Sequence, residues 1–261
     1  MHKFLNFLFN IKIPLFKRLI PSFIKRISFI KKTQIINLKF AKMNINLSQA
    51  IDREIYLSGF YEKEQILFLE DLCKKKNISH FFDIGANIGY YSLYFKKIKN
   101  IFAFEPNKLN FKSLKINKEL NNQKNIQLFN FGLSDTNSDS EIWYTDKNKL
   151  GGSAIYNDKD PELKKYSVNE IIKEKISIKI LDEVCNVKNS NILIKIDVER
   201  HELKVLRGMK EIIKNNNCIL QIEIGKPDEK EIFNFLINLG FVYIKSIRHD
   251  HYFTKESTEV F

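Results

Sequence analysis

The chain has 261 residues, enough for one large α/β domain with an appendage, and its 44% hydrophobic content with 22 Phe excludes global disorder. The net charge of +12 is unevenly placed: no acid precedes Asp52, residues 1–51 carry ten Lys and Arg, and the rest holds 33 bases against 31 acids. A nearly neutral core argues against a nucleic-acid-binding domain, and Cys73, Cys185 and Cys218, odd in number and far apart, exclude a disulfide framework or zinc finger and fit a cytoplasmic protein.

The basic arm comes first. Its longest charge-free apolar run, residues 4–11, is far short of the roughly 20 residues that span a bilayer. Phe16, Leu19, Ile20, Phe23, Ile27 and Ile30 recur at helical spacing with Lys17, Arg18, Lys25 and Arg26 between them, and Pro21 predicts a bend. Two readings fit this amphipathic pattern. Either the helix packs its apolar face on the core, or it adsorbs to an anionic membrane surface, placing the protein peripherally at the inner face of the membrane.

From residue 62 to 76 the apolar spacing predicts a helix, and strand and helix signals then alternate as a βαβ chain requires. Strands are expected at 80–84, 101–104 and 126–131, separated by helices ending near 97 and spanning 108–120. Residues 141–145 alternate like an edge strand, Gly151, Gly152 and Ser153 mark a turn, and 157–169 is polar without a core pattern. Strands follow at 176–180, 192–196 and 219–224. Helices are expected from 200 to 215 and from 228 to 239, and a terminal strand pair at 240–246 and 251–254.

The strongest local signal is the loop after the first of these strands, Asp83-Ile-Gly85-Ala-Asn87-Ile-Gly89. Gly85 and Gly89 permit a sharp turn and close backbone approach, and the helix behind them offers free N–H groups. A dinucleotide fingerprint would need Gly where Asn87 and Tyr90 stand, and no phosphate-loop Gly-Lys-Ser/Thr follows. An acid opening the loop suits a ligand with a cationic amino-acid portion, as S-adenosylmethionine has. Glu105 ends the next strand 20 residues after Gly85, the spacing at which a carboxylate reaches ribose hydroxyls. Ser134 and Asp135 follow the third strand, within reach of an adenine edge. Asp197 and Glu199 follow the strand at 192–196, where an open α/β sheet places its ligand crevice. Glu202 reads as a helix N-terminal acid and His201 as a solvated helix residue.

Taken in order, Asp83–Gly89, Glu105-Pro106, Gly132 to Asp135, Gly151 to Ser153, Leu181-Asp182-Glu183, and Ile194 to Glu199 with Glu202, Val205, Leu206 and Gly208 resemble the FkbM-type methyltransferases. That is a class I, S-adenosylmethionine-dependent family whose members O-methylate sugars and other metabolites. The resemblance covers roughly residues 80–225. It implies that Asp83, Gly85, Asn87, Gly89 and Glu105 hold the methionine and ribose parts of the cofactor, with Ser134 and Asp135 beside the adenine. The family usually has Gly after the acid at Glu199, and this chain has Arg200.

The expected fold is α/β, a doubly wound, mostly parallel Rossmann-like sheet with an antiparallel C-terminal strand. Residues 1–60 would form a helical basic extension and 61–261 the catalytic domain. The expected function is O-methylation of a sugar or surface-glycan intermediate, with a lipid or other small metabolite at a membrane as the alternative acceptor. Such a reaction needs a group to take the hydroxyl proton. Asp197 is the first candidate and Glu199 the second, unless Asp197, Glu199 and Glu223 hold a divalent cation instead.

Overall fold

The computed structural model describes residues 31–144, 171–225 and 228–255. The arm helix expected within 16–30, the turn at 151–153 and the polar segment 157–169 lie outside the described residues.

A seven-stranded sheet carries the fold, in the order β11-β12-β10-β9-β3-β4-β5. Its first members are β3 (His80–Ile84), β4 (Asn100–Phe104) and β5 (Ile126–Phe129), all parallel. On the other side of β3 stand β9 (Asn191–Ile196) and β10 (Asn217–Glu223), parallel again. The hairpin of β11 (Val242–Ile247) and β12 (Asp250–Thr254) closes that edge, and β12 runs antiparallel to β10. This is the doubly wound, mostly parallel sheet expected from the alternating signals. The chain reverses direction across the sheet between β3 and β9, and a crevice opens there at the carboxyl ends of the strands.

Alternation along the strands separates two cores. Phe81, Leu193 and Ile219 face one side, while Phe82, Ile192, Ile194 and Leu220 face the other, all without solvent exposure. The second face is covered by α5 (Leu181–Val184), α6 (Glu202–Gly208), α7 (Lys210–Lys214) and α8 (Glu229–Asn238). The first is covered by α1 (Ala50–Ser58), α2 (Lys63–Lys74), α3 (Tyr90–Tyr94) and α4 (Lys108–Leu120). The helix expected over 200–215 is divided at Met209. There Asp182 accepts from the backbone N–H of Glu211 (2.8 Å) and Ile212 (2.9 Å), giving α7 its own N-terminal cap. A separate small sheet, β6-β8-β7, consists of Gly132–Leu133, Ile172–Lys179 and Ser138–Tyr144.

One element was not legible beforehand. Residues Thr33–Asn37 (β1) and Lys42–Asn46 (β2) form an antiparallel hairpin, with Met43, Ile45 and Leu47 buried in the first core. The hairpin lies along α4, where Asn117 Oδ1 accepts from Asn44 N at 2.6 Å. The same side chain donates to Ile88 O at 2.9 Å, so Asn117 ties the hairpin to the glycine loop. Residues 33–46, expected within a helical extension ending at residue 60, are thus strand and pack on the core. Met43 is fully buried, and Met43→Ala should lower unfolding stability by about 2–5 kcal/mol, measured by denaturant titration.

Candidate active site

A cleft of about 190 Å³ lies at the carboxyl ends of β3, β4, β9 and β10. The glycine loop forms its floor through Asp83, Gly85 and Asn87, and Glu105 closes the β4 end. Asp197, Glu199 and Glu223 stand at the β9 and β10 end, and Tyr61, Tyr90 and Tyr91 form the aromatic wall. Of the expected site residues, Asp83, Gly85 and Asn87 of the loop, Glu105, Asp197 and Glu199 line one cleft, and Gly89 does not.

Three loop residues adopt left-handed backbone: Gly85 (φ 81°), Asn87 (φ 51°) and Gly89 (φ 85°). Protein fills the space left by the two glycines. A Cβ on Gly85 would lie 1.8 Å from the Asp197 carbonyl oxygen, and one on Gly89 would lie 2.5 Å from Leu114 Cδ1. Gly85 therefore lets the loop pass over the end of β9, and Gly89 lets α3 start against α4. Asp83 is buried and accepts from both Ser92 N (3.0 Å) and Ser92 Oγ (2.6 Å).

Glu105 is buried and holds two backbone segments together. Its carboxylate accepts from Asn87 N at 2.8 Å and from Asn107 N at 2.9 Å. Burial raises its pKa to about 7 against the opposing pull of those hydrogen bonds. Ser134 and Asp135 stand one layer behind the cleft wall. Ser134 Oγ donates to Asp135 Oδ1 (3.1 Å) and lies 2.9 Å from His201 Nε2. Since the one hydroxyl hydrogen goes to Asp135, His201 Nε2 is the donor in that second contact. His201 itself lines the cleft, half-buried, and burial lowers its pKa to about 4. It is a neutral wall residue rather than the solvated histidine expected.

The residue with the widest influence is Lys195, a charged side chain in the middle of the apolar run of β9. It pairs in register with Asp83 on β3 and places its Nζ 2.7 Å from Asp197 Oδ2. Burial opposes its charge, but Asp197, Glu62, Asp83 and Asp250 outweigh burial and hold it protonated above the usual lysine range. Burial likewise opposes ionisation of Asp197, yet Lys195 keeps it below the usual carboxylate range. Glu223 hydrogen-bonds to Asp197 and is pushed up to about 9, by burial first and then by the Asp197 charge. Glu199 is raised to about 7 by burial and by Asp197.

Glu199 (φ 52°) and Arg200 (φ 71°) form two consecutive left-handed residues. Arg200 thus takes a left-handed conformation at the position where the resemblance implies Gly. Glu202 supports it by accepting from Arg200 N at 3.1 Å. Tyr61 and Glu62 also reach the site, from the turn before α2. Glu62 (φ 47°) accepts from Tyr91 Oη at 2.8 Å, and no local pattern in the sequence marks it. Lys195 did leave a signal, since a lone ammonium in a buried strand requires partners. Among the described residues, no group of three or more His, Cys, Asp or Glu is arranged to hold a metal ion.

The methyltransferase FkbM domain matches residues 83–243. The chain belongs to this family. It is 29% identical over 210 residues to Methyltransferase 1 of Beauveria bassiana, covering 73% of this chain and 80% of that protein. It is 30% identical over 155 residues to the hexuronic acid methyltransferase AglP of Haloferax volcanii, covering 59% of each. The solved methyltransferase FkbM from Methylobacillus flagellatus KT shares the fold, with TM-score 0.50 and 15% identity, over 77% of this chain and 52% of that one. The chain thus spans about half the length of that solved relative. It is a methyltransferase by family, and among the described residues no helix is long and apolar enough to cross a membrane.

The raised carboxyls link proton binding to folding. Glu105, Glu199 and Glu202, each raised to about 7, and Glu223, raised to about 9, hold protons in the folded chain that the unfolded chain has released by pH 6.5. Their contribution is complete below the unfolded value of 4.5 and is lost as pH rises through 7 to 9. The lowered His201 has the opposite sign, but only below pH 6.5. The melting temperature of the ligand-free protein should therefore fall between pH 6.5 and 8.5, as thermal scans in matched buffers would record.

Proposed function

We propose that this methyltransferase uses S-adenosylmethionine to O-methylate a hydroxyl of a sugar or surface-glycan intermediate. The observation that carries the reading is the convergence of the glycine loop, Glu105 and the pair Asp197 and Glu199 on one cleft. The sugar class is supported by the likeness to a hexuronic acid methyltransferase.

The residues fit such a donor. Glu105 accepts from two backbone N–H groups and from the Asn110 side chain, and a carboxylate has about four lone-pair sites, so about one remains for a ribose hydroxyl. Asp83 and the loop through Asn87 and Gly89 would take the aminoacyl portion. His201 and Leu133 would face the adenine, with Ser134 and Asp135 holding His201 in its tautomer. When bound, the sulfonium supplies a methyl group whose C–S bond breaks as the C–O bond forms, the electron pair staying on sulfur.

The chain must orient the acceptor hydroxyl and take its proton. Asp197, kept ionised by Lys195, suits orientation by accepting the hydroxyl hydrogen bond. Glu199, raised to about 7, suits proton acceptance near neutral pH, where a base is most effective. The cleft stands at the carboxyl ends of the strands and needs no membrane contact for this chemistry. Peripheral attachment through residues 1–32 is the arrangement under which a lipid-linked acceptor would be served.

Two variants test the assignment. Glu105→Ala should weaken S-adenosylmethionine binding by about 1–3 kcal/mol in calorimetry. Asp197→Asn, which alters the acceptor that orients the hydroxyl, should leave that binding nearly intact and lower turnover by about 10²-fold. The readout of turnover is mass spectrometry of surface glycans, where a strain lacking the chain loses one methylene increment that wild type restores and Asp197→Asn does not. Glycans unchanged on deletion, with a lipid or metabolite losing the increment, would move the acceptor to the alternative class.

A further inference from the structure

Charge is sorted along the direction of the strands. At their carboxyl ends stand the acids of the cleft. The five parallel strands begin at the opposite end, and each is entered through a loop without Asp or Glu. Residues 75–79 lead into β3, 95–99 into β4, 121–125 into β5, 185–190 into β9 and 215–216 into β10. The first four of these loops carry Lys, and the fifth follows Lys214 at the end of α7.

The N-terminal hairpin adds its turn, residues 38–41, to the same end. Lys96 donates to Phe40 O there, and the Asn121 side chain accepts from Lys42 N at 2.9 Å and donates to Lys42 O at 2.7 Å. Asn125 ties in the next loop by donating to Lys96 O at 2.9 Å and to Ile98 O at 2.7 Å. Lys39, Lys42, Lys97, Lys99, Lys124 and Lys188 are exposed on these loops. The acids closest to them in sequence belong to the preceding helices. Glu70, Asp71 and Glu211 pair at 3.5–3.8 Å with Lys74, Lys75 and Lys214, which leaves Glu119 and Glu183 against the six exposed lysines.

We infer that this face, at the amino ends of the parallel strands, docks on an anionic lipid surface. Its bases are all lysines, hydrated ammonium groups on flexible stems that suit a fluid array of headgroups. No Arg fork is present to read phosphates in fixed geometry, as a nucleic-acid site uses. The aromatic rings of these loops, Phe40 and Phe95, pack edge-on against Tyr94, at 4.9 and 5.2 Å between centroids, and are not presented to stack on bases. The face is separate from the basic residues 1–32 and does not depend on the donor assignment. Docked this way, the six residues of β9 hold the cleft about 20 Å from the headgroups, opening into water. The acceptor then reaches the cleft from the water side.

Sedimentation of the full chain with phosphatidylcholine vesicles, with and without phosphatidylserine, tests this. Wild type should partition onto the anionic vesicles alone and be released by added salt. In the triple variant Lys97→Glu/Lys99→Glu/Lys124→Glu, partition should fall at least about tenfold. Partition equal to wild type overturns the inference and leaves residues 1–32 as the membrane contact. Absence of wild-type binding, or equal binding to neutral vesicles, overturns it too. A gel shift with RNA that the triple variant loses, while vesicle partition holds, makes the face a nucleic-acid surface instead. Thermal unfolding checks that the triple variant is folded. If it is not, Lys39→Glu/Lys188→Glu, on two other loops, is held to the same loss of partition.

Discussion

The ammonium of Lys195 lies buried beneath the crevice, 2.7 Å from Asp197 and within the field of Asp83, Glu62 and Asp250. Removing an ammonium and a carboxylate from water costs several kcal/mol per ion, and only close pairing with further hydrogen bonds offsets that cost. The surrounding structure supplies those conditions. Register on the parallel sheet puts Lys195 beside Asp83, and Asp83 is anchored by Ser92 at the start of α3. The β9 residues just before Lys195, Ile192, Leu193 and Ile194, are apolar and fully buried, so the charge has no solvent on that side. The ionisation of the whole cleft follows from this placement: Asp197 stays charged, and Glu223 beside it keeps its proton.

The same pair links two layers that are distant in sequence. Tyr91 lies under the Lys195 ammonium, 4.8 Å from ring centroid to Nζ, and its hydroxyl holds Glu62. Beyond it, Gln221 donates to Asp250 at 2.7 Å, and Gln65 reaches the same carboxylate at 3.3 Å. A buried polar network therefore runs from the cleft under α2 to the C-terminal hairpin. These bonds run from α2 and β10 to β12, and they favour one packing of the helix on the sheet. The turn carrying Tyr61 is located by that packing.

Backbone geometry does comparable work on the opposite side. Gly85 leaves room for the Asp197 carbonyl and Gly208 for that of Ser134, where a Cβ would come within 1.9 Å. These approaches draw the β3 loop onto the end of β9, and α6 onto the residue that follows β6. Arg200 shows the limit of reading such positions from residue type. The left-handed turn at residues 199 and 200 is made without Gly, and Glu202 accepts the N–H of Arg200 there.

By itself the sequence determined the strand and helix alternation, the sheet class, and the family. Each rests on local periodicity or on short motifs whose backbone needs are local, such as the loop from Asp83 to Gly89. It also marked Glu105, Asp197 and Glu199, because strand ends in a doubly wound sheet converge whatever the side chains. Tertiary structure alone decided which carboxyls are charged, since that depends on Lys195 and on burial. It decided that Gly85 faces the Asp197 backbone and that Ser134 hydrogen-bonds with His201. It brought in the hairpin at 33–46 and the turn at Tyr61, whose partners stand tens of residues away. Residues that short carry no periodic signal, and their positions are set by the surfaces they pack on, not by their own propensities.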